Sequence, residues 1–424
     1  MKFDIEYLAF SKKGSFKREI IYYIFVVLLT SMATFFVLKL WMADIKIPFV
    51  YTGDVVGSLG IAQNNLSGGS RYYKPNIGAP FLVNGATIPD TDTINYFIYW
   101  LVTKISGEVG VAINVFYLLT YIFIALISFF VLRQLEFSPI YCLIGSVVFA
   151  CLPYHQYRGE SHMFLSTYYD IPWACLISIW IMRGQYFIND IENTHLSADI
   201  KQKLNWNKIL ISVVGLSFLA SGSMYYLYFS LSLMFFASII ALIRVPRPRT
   251  IVISTVIVVF TLFVFLINIL PSVIHIIELK TGDLGHGRAM SDSETYGLKI
   301  SQLILPVAGH KIPLFARIRG IYDSNFLLIN ENSFSTLGLF LSISLIVSIF
   351  SLMANRKKDI ASLNYDTAVL NLFVIFLSII LSSVNIFIAL LAMSTFDEEY
   401  INLDQLTQMR SQYELCLRLL NGYI

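Results

Sequence analysis

The segment "KKGSFKREIIYYIFVVLLTSMATFFVLKLW", Lys12–Trp41, decides the fold class. Lys12, Lys13, Lys17 and Arg18 come first, and then Ile20–Leu38 passes without a charged side chain. A bilayer-spanning helix needs about 20 mostly apolar residues, so 20–41 reads as a first span. The run is too long for a signal-peptide core and lacks a persuasive cleavage site; the reading is an uncleaved span. The rest of the chain has the same character. Of its 424 residues, 56% are hydrophobic and only 13% charged, against roughly 25% charged in a soluble domain. The mean hydropathy is +0.68. A net charge of +3 is too small to indicate a nucleic-acid partner. Cys142, Cys151, Cys175 and Cys416 have no metal-ligand spacing, and three of them lie in apolar runs as small hydrophobes.

Outward from the first span, apolar runs at about 109–132, 138–153, 164–183, 208–222, 224–243, 250–270, 334–354 and 367–394 bring the expected total to nine. The "SGS" at Ser221–Ser223 reads either as a tight external turn or as a kink. Short basic loops fix the orientation: Arg133, then Arg183, Lys201, Lys203 and Lys208, then Arg244, Arg247 and Arg249, then Arg356, Lys357 and Lys358. All fall on the side of the basic N-terminus, which the positive-inside rule makes cytoplasmic. The expected architecture is all-α and polytopic, one integral membrane domain over 1–424. External loops take about 42–108 and 272–333, with an external tail at 395–424. In the first loop "TINYFIYWLVTKIS" suits a helix lying in the membrane interface; in the second, "YGLKISQLILPV" has the same mixed pattern.

The polar residues crowd the external ends of these spans. Asp54, in "FVYTGDVVGSLG", is a lone acid beside Gly53. Ordinary turn chemistry explains it; so does a partly desolvated carboxylate working as a general base. The segment "PYHQYRGESHMFLSTYYDIPW", Pro153–Trp173, carries His155, Arg158, Glu160, His162, Tyr168, Tyr169 and Asp170. Arg158 has the forked geometry that matches phosphate, the histidines form no zinc motif, and Asp170 fits a helix cap. The plain alternative is a set of interfacial residues bonded to loop backbone. A third cluster holds His286, Arg288, Glu294, Tyr296, Lys299 and His310, followed by Glu331. The tail adds Arg410 and Arg418. No Walker motif, dinucleotide fingerprint or nucleophile elbow is present.

Taken in order, these pieces resemble the bacterial GT-C-type integral membrane glycosyltransferases. That class carries an acid in its first external loop, matched here by Asp54. A Pro-Tyr-His…Arg…His…Tyr segment follows, matched by Pro153, Tyr154, His155, Arg158, His162 and Tyr168. Then come Gly222 with Tyr225-Tyr226, the stretch Glu294 to His310, and Glu331 to Gly338 leading into a span. With nine spans, the chain is similar to the serotype-converting O-antigen glucosyltransferases. Longer relatives continue past a segment like "MRSQYELCLRLLNGYI"; stopping there fits the short type or a fragment. The resemblance implies a hexose, glucose by this analogy, moved from undecaprenyl phosphate to lipopolysaccharide O-antigen at the bacterial inner membrane. Asp54 would be the catalytic base. Arg158, Arg288, Lys299 and Arg410 would bind the donor phosphate, and His155, His162, Tyr168, Glu294, Tyr296, His310 and Glu331 would line the acceptor site. No cofactor or metal is implied; a donor synthase and a flippase are the implied partners. A lipid-linked sugar flippase and a membrane O-acyltransferase using an embedded His remain as alternatives.

The topology is directly testable. Reporter fusions at Asn84, Asp323 and Tyr413 should all report the periplasm; a cytoplasmic signal at Asp323 would break the nine-span arrangement.

Overall fold

A computed structural model describes residues 16–75, 77, 83–87, 90–184, 188–189, 203–244, 248–279, 300–325 and 336–354. The chain divides into two compact units, Met1–Leu284 and Gly285–Ile424. The described residues are overwhelmingly helical. The exceptions are short turns and two antiparallel two-residue ladders, β1 (Tyr73–Lys74) with β2 (Val83–Asn84) and β3 (Ile188–Asn189) with β4 (Lys203–Leu204).

The first unit opens with α1 (Phe16–Val37) and a 3₁₀ turn at Leu40–Met42, then α2 (Val55–Leu66), α3 (Thr93–Ser106), α4 (Val109–Gln134) and α5 (Pro139–Ala150). It continues with α6 (Pro153–Arg158), α7 (Asp170–Arg183), α8 (Trp206–Ser221), α9 (Met224–Arg244) and α10 (Pro248–Leu279). Prolines open α5 and α6, where a missing N–H costs nothing. Gly107, at φ +67, caps α3 and lets the chain turn into α4. Asn205 caps α8 by accepting from the Lys208 amide. By length and composition α1, α4, α9 and α10 can each cross a membrane; α8 is apolar but shorter.

Several boundaries differ from the sequence expectation. The fourth apolar run begins at 164, yet helix α7 begins only at Asp170. Ser166 Oγ donates to the carbonyls of Gly159 and Met163, and Thr167 Oγ1 to that of Phe164. Such local side-chain bonds offer the backbone an alternative to helix. Helix α10 runs past 270, through Pro271, to Leu279, so the start of the second expected loop is helical. Ser221–Ser223 is a turn between α8 and α9, not a kink. The ninth expected span and the tail lie outside the described residues.

A helix is present over Thr93–Ser106, the stretch expected to lie in the interface, and it turns several apolar side chains outward. Asn95, Tyr99 and Thr103 face the protein, while Phe97, Trp100, Leu101 and Ile105 are exposed. An outward apolar face is what a lipid neighbour requires.

Side-chain contacts sort the helix ends of this unit into two groups. At one end Arg133, closing α4, forms a paired bridge to Glu19, opening α1, with Nη2–Oε1 at 2.6 Å and Nε–Oε2 at 3.1 Å. Its Nη1 also donates to the Phe137 carbonyl. At the same end Lys208, opening α8, lies over the Trp180 ring near the close of α7. At the other end Asp54 meets Ser161 and His162, Thr91 meets Gly222, Asn268 meets Ser221, and Asn84 meets His275. The first loop, the 153–169 segment, the 221–223 turn and the close of α10 therefore share one end. Between the ends, α4 carries two buried clusters, one around Ile124 and Phe129 and one around Ile113 and Phe116.

The second unit contains α11 (Ile300–Ile304), α12 (Pro313–Asn325) and α13 (Leu339–Ala354). The Leu303 carbonyl accepts from the Leu337 amide and from Ser342 Oγ, tying α11 to α13. Arg319 is buried, bonded to Asp323 at 2.8 Å and to the Pro306 carbonyl.

Arg133 is almost fully buried and depends on Glu19. Glu19→Gln leaves its charge without a counterion, which for a buried pair costs about 3–5 kcal/mol. Thermal unfolding in detergent should show a clear drop in Tm for Glu19→Gln, and recovery when Arg133→Met is added.

Candidate functional site

The linker between α1 and α2 leaves most of its apolar side chains exposed, Trp41, Met42, Ile45, Ile47 and Tyr51 among them, so polar contacts hold it to the rest of the unit. On α4, Asn114 Nδ2 donates to the carbonyls of Ile45 (2.7 Å) and Ile47 (2.8 Å), and its Oδ1 accepts from the Phe49 amide (3.3 Å). Gly110, one helical turn before Asn114, lets the Lys46 carbonyl come close; a Cβ there would stand 1.8 Å from that oxygen. Three consecutive residues then hold the rest of the linker. Glu160 Oε2 accepts from the Val50 amide at 3.2 Å. The Ser161 carbonyl accepts from the Asp54 amide at 2.7 Å. His162 Nδ1 lies 3.0 Å from Asp54 Oδ2. A carboxylate only accepts, so Nδ1 carries the proton and donates.

Gly53 makes this approach possible. Its φ is +70, and a Cβ would meet the Ser161 carbonyl oxygen at 2.6 Å. Asp54 immediately precedes α2, and its carbonyl accepts the Ser58 amide at 3.0 Å. Its side chain forms no cap bond and turns to His162 instead. The expected desolvation is not seen within the protein: the Asp54 side chain is 74% exposed, beside a His162 side chain that is 27% exposed.

Glu160 is the buried member of the trio. It is fully inaccessible, and its Oε1 has no hydrogen-bond partner. Burial pushes its carboxyl up to about 7, opposed by the Val50 and Phe49 amides, which favour the ionised form.

The other expected site residues scatter. Arg158 is on α6, its guanidinium 5.7 Å from the Tyr154 ring centroid. His155 does not line a site. It is fully buried, its ring stacked on Tyr121 at 3.7 Å, with Nδ1 at the Ala150 carbonyl and Nε2 at Thr120 Oγ1. Burial pushes its imidazole down to about 3, so it is neutral. Tyr168 is likewise interior, donating to the Phe149 carbonyl at 2.8 Å. Both belong to the aromatic packing behind the surface, because an apolar segment folded back on α4 has nowhere else to put them. His310, in the second unit, accepts from the Ile312 amide. Arg288, Glu294, Tyr296, Lys299, Glu331 and Arg410 lie outside the described residues. Among the described residues no group of three or more His, Cys, Asp or Glu side chains is placed to hold a metal ion.

A second polar network was not singled out from the sequence. Arg71 donates to Thr93 Oγ1 (2.6 Å) and to the Asp90 carbonyl (2.5 Å), with its guanidinium over the Tyr96 ring. Asp92 accepts from Asn95 Nδ2 at 2.9 Å; Asn95 also bonds Thr167 Oγ1 and the Tyr169 hydroxyl. Burial first, then the neighbouring Asp90, holds the Asp92 carboxyl above the usual range. Thr91 Oγ1 donates to the Gly222 carbonyl at 2.6 Å. Against Gly222 lies Asp170, fully buried, with no partner on either oxygen. It is not the cap expected for α7; Tyr169 takes that position. The available signal was the "PDTDT" stretch, two acids one residue apart ahead of an amphipathic helix, which reads equally well as a cap.

Compared with protein-family models, curated proteins and solved structures, the chain matches none.

The raised carboxyl of Glu160 gives a signed prediction. Between pH 4.5 and about 7 the folded state holds a proton that the unfolded state has lost, so this residue's contribution to stability falls as pH rises through that window. Glu160→Gln removes the penalty. Its unfolding free energy should exceed wild type at pH 8, by no more than on the order of 3 kcal/mol, with a correspondingly higher Tm, and the difference should vanish toward pH 4.5.

Proposed function

We propose that the chain is a GT-C-type glycosyltransferase that moves a hexose from a polyprenyl-phosphate carrier to a periplasmic glycan, with the O-antigen of lipopolysaccharide as the acceptor class. The observation that carries the reading is the Asp54–His162 contact, an acid held by an imidazole at the polar end of a helical bundle. A lipid-linked donor presents its reactive carbon at headgroup depth, and α3, with its apolar face turned outward, supports a membrane surface near that end.

In this reading an acceptor hydroxyl loses its proton to Asp54 as its oxygen attacks C1 of the donor sugar. The C1–O bond to phosphate breaks, and polyprenyl phosphate leaves with the electron pair. A single in-line displacement inverts the anomeric centre. The His162 N–H keeps the carboxylate turned toward the acceptor. Arg158, on the same segment, is the described cation suited to the phosphate charge; Arg288, Lys299 and Arg410 complete the set implied by the resemblance. The full burial of His155, stacked on Tyr121 with both ring nitrogens engaged, weighs against its use as the embedded His of an O-acyltransferase. A lipid-linked sugar flippase is favoured by one feature, the unpartnered buried carboxylate of Asp170.

The test is transfer of radiolabelled glucose from its polyprenyl-phosphate carrier by purified protein, measured against movement of the lipid alone. General-base catalysis contributes about 10²–10⁴-fold, so Asp54→Asn should lose that much transfer at matched expression. Asp44→Asn should be nearly silent, since Asp44 is exposed and its side chain bonds locally to the Lys46 amide. Lipid movement without transfer would favour the flippase; near-normal transfer by Asp54→Asn would remove the base assignment.

A further inference from the structure

We infer that Glu160 is a positioning residue for the transfer reaction, acting on Asp54 through the backbone of the Phe49–Asp54 segment; the inference rests on the reading of Asp54 as the base.

The geometry leads there in steps. Asp54 is itself exposed, so packing does not fix its carboxylate. Its direction is set by the backbone that carries it and by His162. That backbone is held from the 160–162 segment at two amides, Val50 through Glu160 Oε2 and Asp54 through the Ser161 carbonyl. The Ser161 contact is backbone to backbone and survives most substitutions. The Val50 contact is the only one of the two that a side chain supplies. The burial of Glu160 also needs a reason: it is a carboxyl, fully inaccessible, with one oxygen bonded and the other bare. Burying such a group is unfavourable, and a residue in the same turn with no carboxyl would avoid the cost while losing the anchor. Around it, Tyr99 of α3 and Tyr117 of α4 are the titratable groups whose charge couples to it. Tyr99 is a phenol held well above neutral pH by burial, so it adds no charge that would give Glu160 an electrostatic role.

The contact to Val50 needs an acceptor of the right reach, not a charge. Gln keeps the reach and an acceptor oxygen. Asp keeps the charge and retracts the carboxyl by one methylene. Ala removes both. A misplacement of about 1 Å at a reacting group can cost about 10²-fold. The expected result, on full-length purified protein with the radiolabelled polyprenyl-phosphate glucose donor and an O-antigen acceptor, is a fall in kcat of about 10- to 100-fold for Glu160→Ala and Glu160→Asp, with donor KM little changed. Glu160→Gln should recover most of the loss. Because the effect runs through Asp54, Glu160→Ala added to Asp54→Asn should cost little more than Asp54→Asn alone.

Other outcomes overturn the inference. Activity in Glu160→Asp with loss in Glu160→Gln would make the role electrostatic. Variants that lower the yield of folded protein while leaving kcat per folded molecule intact would make it a stability residue only. Full additivity with Asp54→Asn would make it independent of the base. If Glu160→Ala does not reach the membrane, the Gln and Asp pair decides. Near-normal transfer by Asp54→Asn removes the base and this inference together, whereas a dead Asp54→Asn beside an unaffected Glu160→Asp removes the inference alone.

Discussion

The site end of the first unit depends on how one linker is tied down. Residues 45–54 leave apolar side chains such as Ile45, Ile47 and Tyr51 exposed, and a chain with little burial keeps its conformational entropy unless polar contacts oppose it. Asn114 supplies three such contacts from the second turn of a membrane-length helix. Glu160, Ser161 and His162 supply the remainder in sequence order, as a strip of donors and acceptors facing a matching strip. Two glycines, Gly53 and Gly110, permit the approach, since a Cβ at either would collide with a carbonyl oxygen. Without this seam Asp54 would be one more exposed loop acid.

The same end holds the second network, and the two share a design. Both join the first loop to the segment between α5 and α7, one through Asp54 and His162, the other through Asn95 and Thr167. The second also reaches the α8–α9 turn through Thr91 and Gly222. Buried polar groups of this kind are costly unless satisfied. Two carboxyls in and beside the two networks fall short, Glu160 with one bare oxygen and Asp170 with two, whereas Asp92 has its partner. The opposite end is simpler: a bidentate ion pair between Arg133 and Glu19 closes it.

How much could be read in advance depended on whether the information was local. Helix α3 was legible to the residue, because an aromatic amphipathic run ended by Gly107 carries its own boundaries. The start of α7 was not, because Ser166 and Thr167 look like ordinary span residues until their hydroxyls are seen to bond back to Gly159, Met163 and Phe164. Asp54 and His162 were both marked as candidates, on separate grounds, more than a hundred residues apart in sequence. Their meeting needed the fold. His155 was marked for the same reason as His162, a polar residue in an apolar context, and sequence context does not separate a histidine stacked on Tyr121 from one facing out. Asp92 passed unnoticed because an acid just before a helix has a routine explanation.

By itself the sequence determined that this is a helical chain with membrane-length apolar segments, because hydropathy and length are properties of consecutive residues and the bilayer sets the scale. It also determined that the polar residues gather in a few segments between those helices. Only the tertiary structure decided which of those segments meet. The contact of Asp54 with His162, the anchoring of Val50 by Glu160 and the burial of Asp170 against Gly222 join residues far apart along the chain. Such contacts are fixed by which helix ends pack side by side, and no local run of residues encodes that.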